Sequence, residues 1–322
     1  MHKIINDITI QGCTHLALEV SSHAIDLHRT SSLRFDKVGF TNLSPDHLDY
    51  HKSMEDYLNT KLKLFNNDLP AVVNADIPEF EKIKAISRGR VLSYGKNGED
   101  LKILSRIAKE TGQEIEALIF GKKYQLNLNV IGDFQAMNLL LAIGLASINN
   151  RNVLENLEDI VPLLKAPDGR IDFVASLKNG ASVYVDYAHT PDALEKLLKA
   201  LKPHASNKLA VVFGCGGDRD KTKRPIMGKI SNDLADVAYV TDDNPRTEDA
   251  SEIRKEIMET ATKATEIGNR KDAIEMAIAN LEAGDILVIA GKGHETGQTI
   301  GKVVHDFNDK KIALEYITDK GL

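Results

Sequence analysis

Asp242, Asp243, Asn244, Pro245, Arg246, Thr247 and Glu248 follow one another directly after the apolar residues 237–240. Proline fixes its own φ and biases its predecessor toward an extended conformation, so Asn244 and Arg246 project at defined angles. A guanidinium fork held in this way suits a carboxylate. The same run also reads as a solvated turn ahead of a helix that Ser251 begins. Three further segments share its setting. Asp186-Tyr187-Ala188-His189-Thr190-Pro191-Asp192 turns a strand into a helix capped by Thr190, with Pro191 at its first position, a start that favours phosphate. Gly214-Cys215-Gly216-Gly217-Asp218-Arg219-Asp220-Lys221 lets backbone N–H groups approach an anion and adds two cations beside them. Gly291-Lys292-Gly293-His294-Glu295 is either a plain glycine turn or a fourth ligand loop. Four such loops at four strand ends point to one binding rim, since structural turns have no need to collect polar groups along it.

Nearer the N-terminus, Glu19 closes an apolar run and precedes Ser21, Ser22 and His23. A carboxylate at that edge is a hard oxygen ligand for Mg²⁺; the hydroxyls meet phosphate or amide groups or cap a helix, and capping is the simpler reading. Residues 41–51 then bring Asp46, His47, Asp49 and His51 into one segment. Zinc is disfavoured there, because neither cysteine is near and no helical HExxH spacing occurs. A Mg²⁺ site of carboxylates, phosphates and waters, with a histidine as a less usual ligand, fits better. Lys61, in a helix expected over residues 54–65, reads by itself as an exposed helical lysine.

The elements that must position these groups alternate. Short apolar runs at 15–20, 38–43, 71–74 and 91–94 are separated by helical or loop segments, as in an α/β sheet. Residues 117–120 and 124–130 predict an antiparallel ribbon turning at Gly121, and residues 134–148 a buried helix. A helix ending near Leu164 precedes the linker Pro167-Asp168-Gly169-Arg170. Beyond it, strands at 183–186, 210–213, 237–241 and 286–290 alternate with helices at 191–201, 226–234, 251–262 and 271–281, the pattern of a doubly wound sheet.

At 322 residues with 42% hydrophobic content, the chain is long enough for two cores, and two domains are expected, 1–166 and 167–322. The net charge is −6 and no basic run interleaves with aromatics, which argues against a nucleic-acid partner. Cys13 and Cys215, far apart, argue against a disulfide framework and for a reducing cytoplasm. No signal-like stretch or membrane-length apolar run occurs, so no membrane partner is expected. A nucleotide-dependent oxidoreductase is weakly supported, since GxGxxG spacing is absent.

Seven motifs, in this order, resemble the Mur ligases: Glu19-Val-Ser-Ser-His, Asn42-Leu-Ser-Pro-Asp-His-Leu-Asp-Tyr-His, Gly132-Asp-Phe-Gln-Ala-Met-Asn138, Asp186-Tyr-Ala-His-Thr-Pro-Asp, Gly214-Cys-Gly-Gly-Asp-Arg-Asp-Lys, Asp243-Asn-Pro-Arg and Gly291-Lys-Gly-His-Glu. The resemblance runs from about Gly12 to the C-terminus. It implies an α/β chain made of part of a P-loop-type central domain followed by a Rossmann-like doubly wound C-terminal domain. It also implies the chemistry: ATP converts a glutamate carboxyl of a UDP-sugar-linked peptide into an acyl phosphate, and an amino acid's amine displaces phosphate. By the same resemblance Lys61 is the lysine that is carbamylated, and with Glu19 and His47 it holds Mg²⁺ against the transferring phosphate. Ser21 and Arg29 contact the UDP-muramoyl peptide. Asn138, Arg170, Asp186 and His189 contact ATP. Arg219, Asp243, Asn244, Arg246, Gly291 and Glu295 form the pocket for the incoming amino acid.

The Asp-Asn-Pro-Arg form resembles the branch that adds meso-diaminopimelate to UDP-MurNAc-L-Ala-D-Glu. Diaminopimelate carries a second carboxylate that lysine lacks; Arg246 pairs with it and Glu295 holds the distal ammonium. A lysine ligand would leave Arg246 unpaired. The chain departs from the family in three ways. A UDP-binding domain and a P-loop are implied ahead of these motifs, and none of the Gly-Lys pairs, at Lys96, Lys122, Lys229, Lys292 and Lys302, is followed by Ser or Thr. Gln135 stands where the family often has asparagine. The expectation is therefore a ligase by ancestry that does not ligate alone: a fragment of a longer gene, one half of a split enzyme whose partner chain supplies the N-terminal part, or a degenerate copy. The alternative is a non-catalytic binding module or partner subunit.

Overall fold

The computed structural model describes residues 2–44, 50–109 and 111–322. The chain divides into two compact units, Met1–Leu101 with Leu141–Asn150, and Lys102–Leu140 with Arg151–Leu322.

The first unit opens with α1 (His2–Ile10) and α2 (Ser22–Asp26), followed by β1 (Val38–Phe40), α3 (Met54–Leu62), β2 (Ala71–Asn74), α4 (Phe80–Ile86) and β3 (Val91–Gly95). The three strands pair in parallel, Val38 opposite Ala71 and Ala71 opposite Val91. Val38, Phe40, Leu58, Leu62, Phe65, Ala71, Val73 and Ile83 form its core. The strand expected over residues 15–20 does not form: the segment is irregular, and Leu16 and Leu18 are exposed. An apolar run becomes a strand only by exchanging backbone hydrogen bonds with a neighbour, and this one joins no ladder among the described residues.

The second unit, from Lys102, opens with nearly all of β4 (Leu101–Lys109) and with β5 (Gly112–Ile119) and β6 (Lys122–Leu128). β5 and β6 pair antiparallel, Ala117 opposite Tyr124, and the turn between them places Phe120 and Gly121 at positive φ. Periodicity missed β4. α5 (Asp133–Ser147) starts in this unit and ends in the first, and short turns with α6 (Leu157–Ile160) lead to the linker.

The remainder is a six-stranded sheet of β7 (Asp172–Ser176), β8 (Ser182–Asp186), β9 (Leu209–Phe213), β10 (Val237–Val240), β11 (Thr265–Glu266) and β12 (Ile286–Ala290). Their order is β11-β10-β9-β12-β8-β7, parallel except for the edge strand β7. Burial on both faces explains why β8, β9 and β12 read as unbroken apolar runs rather than alternating ones. One face packs on α7 (Pro191–Leu201), α8 (Lys223–Leu234) and α9 (Ala250–Met258), the other on α10 (Arg270–Ala279) and α11 (Asp309–Lys320). A hairpin of β13 (Gly297–Ile300) and β14 (Val303–Asp306) precedes α11. No helix among the described residues is long and apolar enough to cross a membrane.

Candidate functional site

Because β8, β9, β10 and β12 run parallel, their C-terminal ends share one edge. Ala290 lies opposite Asp186, Ile289 opposite Val212, and Val240 opposite Phe213. The four loops singled out in the sequence therefore stand on one rim, where an open parallel sheet binds its ligands.

The loops after β10 and β12 interlock. Lys292, 0% exposed, donates from Nζ to Asn244 Oδ1 and to Glu295 Oε2, each at 3.1 Å. Asn244 Nδ2 donates to the same Glu295 oxygen at 3.2 Å, while Thr299 N donates to Asn244 Oδ1 at 2.8 Å. Asp243 is 7% exposed, and its carboxylate has no hydrogen-bond partner among the described residues. A Cβ at Gly291 would stand 2.7 Å from Asp243 Oδ2, so only glycine lets that carboxylate lie against the backbone.

Arg246 adopts φ +53° and is fixed by backbone bonds to the β13–β14 hairpin: its N donates to Thr299 O at 3.1 Å and its O accepts from Gly301 N at 2.7 Å. Its NH1 donates to Gly217 O at 2.7 Å, the one guanidinium hydrogen bond it makes among the described residues. This changes the reading of the glycine loop after β9. A Cβ on Gly217 would meet Pro245 O at 1.9 Å, and Gly217 N already donates to Asn244 O at 2.9 Å. That glycine serves the close approach of two protein loops, and its N–H is spent inside the protein rather than offered to an anion. Arg219 lies on this loop, exposed, and among the described residues it donates only to the neighbouring Asp218 carbonyl.

Residues the sequence reading left unassigned hold the rim. Arg270 Nε and NH2 donate to the two oxygens of Asp309 at 2.8 and 2.7 Å, both side chains fully buried, and NH2 also reaches Ala290 O at 3.0 Å. Buried Arg224 donates from NH2 to both oxygens of Glu248 and from NH1 to Glu256, all at 3.0 Å. Those bonds, with Lys221 and the Asp218 amide, hold the Glu248 carboxyl at about 2. Asp242 pairs with Arg254, yet burial leaves its pKa above the ordinary aspartate value. One signal was available for Arg270: a cation in the first position of a helix opposes the dipole and calls for a dedicated partner. For Lys292 the signal was a charge between two glycines directly after a wholly apolar strand.

At the loop after β8, Asp186 accepts from Ile171 N at 2.7 Å and Ala188 N at 2.8 Å, while burial raises its pKa. The Arg170 guanidinium stands 5.1 Å from the Tyr187 ring centre, and Tyr187 stacks on His294 at 5.5 Å. Gly169 lies so close to the last rim loop that a Cβ would be 2.4 Å from His294 N. Arg170, Asp186 and His189 are thus gathered around Tyr187, with His189 Nδ1 2.9 Å from the Tyr187 carbonyl oxygen. Asn138, on α5, is exposed and donates to Gln135 Oε1 at 3.0 Å.

In the first unit, Ser21 caps α2, accepting from Ala24 N at 3.2 Å, the simpler of the two sequence readings. Arg29 is exposed just beyond that helix. Buried His51 places Nε2 2.8 Å from Ser22 Oγ and stacks on Tyr57 at 4.9 Å. The Lys61 ammonium stands 5.1 Å from the other partner of this stack, the Tyr57 ring. Lys61 is half-buried and Glu19 exposed; His47 lies outside the described residues. An ammonium cannot ligate a cation, whereas a carbamate offers carboxylate-like oxygens. Mg²⁺ takes one or two carboxylates and completes its shell with phosphate and water. A carbamate on Lys61 would supply an oxygen of that kind, and no group of three or more His, Cys, Asp or Glu that could hold a metal occurs among the described residues.

Comparison with known proteins gives the family. Residues 1–146 match the Mur ligase middle domain and residues 169–293 the Mur ligase glutamate ligase domain. The chain belongs to the Mur ligase family. It is 46% identical, over 323 aligned positions, to the UDP-N-acetylmuramoyl-L-alanyl-D-glutamate--2,6-diaminopimelate ligase of Caulobacter vibrioides, covering 97% of this chain and 66% of that protein. A solved structure of a ligase of the same name is 34% identical with a TM-score of 0.71, covering 98% of this chain and 67% of that one. MurF ligase from Thermotoga maritima, solved in complex with ADP, shares the fold at 18% identity and a TM-score of 0.66, covering 91% of this chain and 62% of that one. The chain thus spans about two thirds of the length of the relatives it matches.

Proposed function

We propose that the chain is the catalytic and amino-acid-binding part of a cytoplasmic ligase that adds meso-diaminopimelate to UDP-MurNAc-L-Ala-D-Glu in peptidoglycan precursor synthesis. The observation that carries this reading is the rim constellation of Asp243, Asn244, Arg246, Gly291 and Glu295, with anionic and cationic groups side by side. A diamino diacid presents the complementary pair. Arg246, joined by Arg219, would take its distal carboxylate, and Glu295 with Asp243 the ammonium beside it. With that end held, the remaining amine is aimed at the acyl phosphate. The glutamate carboxylate takes the γ-phosphoryl group of ATP, releasing ADP; the amine then attacks the acyl carbon, the C–N bond forming and the C–O bond to phosphate breaking, which leaves amide, phosphate and a proton.

Asn138, Arg170, Asp186 and His189 would bind ATP, Tyr187 backing the Arg170 guanidinium. Ser21 and Arg29 would contact the UDP-muramoyl peptide. Mg²⁺, held by Glu19, His47 and carbamylated Lys61, would neutralise charge on the transferring phosphoryl group. We place the domain boundary at 166/167, between the two family matches.

A second reading rests on the sequence holding no Gly-Lys-Ser/Thr phosphate cradle: a non-catalytic module that keeps the amino-acid pocket. Incubation with ATP, UDP-MurNAc-L-Ala-D-Glu and labelled meso-diaminopimelate separates the two. These 322 residues alone should form little ADP, and adding the N-terminal third of a relative, fused or as a separate chain, should yield labelled product. Continued absence of product with that segment present favours the binding module.

A further inference from the structure

Lys292 has no place in the proposed ligand pocket, yet like Arg224 and Arg270 it is a fully buried charge on the rim. Its side chain is 0% exposed, and both groups it touches belong to that pocket. Its ammonium shares Glu295 Oε2 with the Asn244 amide, so this oxygen already has two donors. Asn244 Oδ1 is likewise filled, by Lys292 and by Thr299 N. Two consequences follow from counting donors and acceptors. Asn244 is turned inward as scaffold, with a single N–H left beyond its bond to Glu295. Glu295, 34% exposed, keeps only Oε1 free of these bonds and so presents one defined oxygen to a ligand.

We infer that Lys292 is a positioning residue for amino-acid recognition: by binding Glu295 Oε2 and Asn244 Oδ1 together, it turns Glu295 Oε1 toward the ligand's ammonium. This rests on the amino-acid pocket proposed above. Lys292 does not touch the ligand. It acts by fixing the carboxylate rotamer and by joining the loop after β12 to the loop after β10. A carboxylate left to rotate would present either oxygen and lose directional selectivity for the ammonium.

The test is a double-mutant cycle on the full chain, with meso-diaminopimelate as the probe and affinity read by ligand-observed NMR. Lys292→Met keeps the stem and removes the ammonium. Glu295→Gln removes the oriented charge, and the double variant avoids leaving the Glu295 carboxylate without its ammonium partner. Lys292→Met should weaken meso-diaminopimelate by about tenfold or more, the cost of a polar group deprived of its partner. In the Glu295→Gln background the same change should cost nothing further, while a merely structural lysine would cost the same in both. Equal losses in the two backgrounds, or wild-type affinity in Lys292→Met, overturn the assignment of Lys292 and leave the pocket standing. No meso-diaminopimelate binding by the wild-type chain, or none lost in Glu295→Gln, overturns the pocket and this assignment with it.

Discussion

Arg246 pays for its placement with a left-handed backbone, φ +53°, in a residue type that rarely adopts it. The hairpin bonds through Thr299 and Gly301 hold it there, and the NH1 bond to Gly217 O fixes the direction of the fork. One guanidinium N–H is thereby committed to the protein, and under the function proposed above the remaining donors would receive the ligand's carboxylate. Arg246→Ala should therefore erase the preference for meso-diaminopimelate over lysine, a loss of about 1.5 to 3 kcal/mol in relative affinity by calorimetry. An unchanged ratio would remove Arg246 from recognition. The arginine and its motif were legible in the sequence because proline and charge occur together at a strand end. The bond to Gly217 was not, since the two residues lie 29 positions apart and meet only through the sheet.

Among the elements, the rim depends on pairs set where helices begin. Arg270 opens α10 and Asp309 opens α11, and their bidentate pair, with the Arg270 bond to Ala290 O, ties both helix starts to the end of β12. Arg270→Met leaves a buried carboxylate unpaired, which should cost about 3 to 5 kcal/mol in denaturant unfolding. The double change Arg270→Met/Asp309→Leu should recover most of it, and failure to recover would mean that the bond to Ala290 O matters more than the pair. A second joint is His204, whose Nδ1 donates to Lys109 O at 2.6 Å while Nε2 accepts from Gly132 N at 3.1 Å. Burial pushes its pKa below the ordinary histidine value, with the Lys109 carbonyl opposing that shift. The unfolded chain therefore binds a proton first on acidification. Stability is intact above the unfolded value, about 6.5, and is lost as pH falls through it toward the depressed folded value. Urea unfolding from pH 7.5 to 5.5 should show this loss in the wild type and a flatter profile in His204→Gln. Parallel profiles would assign the acid sensitivity to other groups.

For the whole molecule, the sheet from β7 to β12 and the helices on both its faces lie within residues 167–322, and Ile131 is the one member of their two core clusters from outside that range. Residues 167–322 produced alone should unfold cooperatively when followed by circular dichroism. Their melting temperature should be lower than that of the same unit in the full chain, because His204 then lacks both Lys109 and Gly132. A non-cooperative melt would show that residues 102–140, grouped with this sheet by compactness, are needed to complete the domain.

The α/β class, the alternation of β8, α7, β9, α8, β10, α9, α10 and β12 and the four rim loops were written in the sequence, because apolar runs of strand length, proline and threonine at helix starts and glycine at strand ends act within a few residues of themselves. Helix α7 begins and ends where Pro191 and Leu201 predict, and β12 where Ile286 and Ala290 do. Residues 15–20 mark the limit of such local reading: strand composition was present, but a strand exists only with a partner. Tertiary structure alone decided that Gly217 makes room for Pro245, that Arg270 finds Asp309, and that Lys292 and Asn244 share one oxygen of Glu295. Each of these joins residues that touch only after the parallel strands align, and a buried charge or carbonyl accepts whichever partner that alignment supplies.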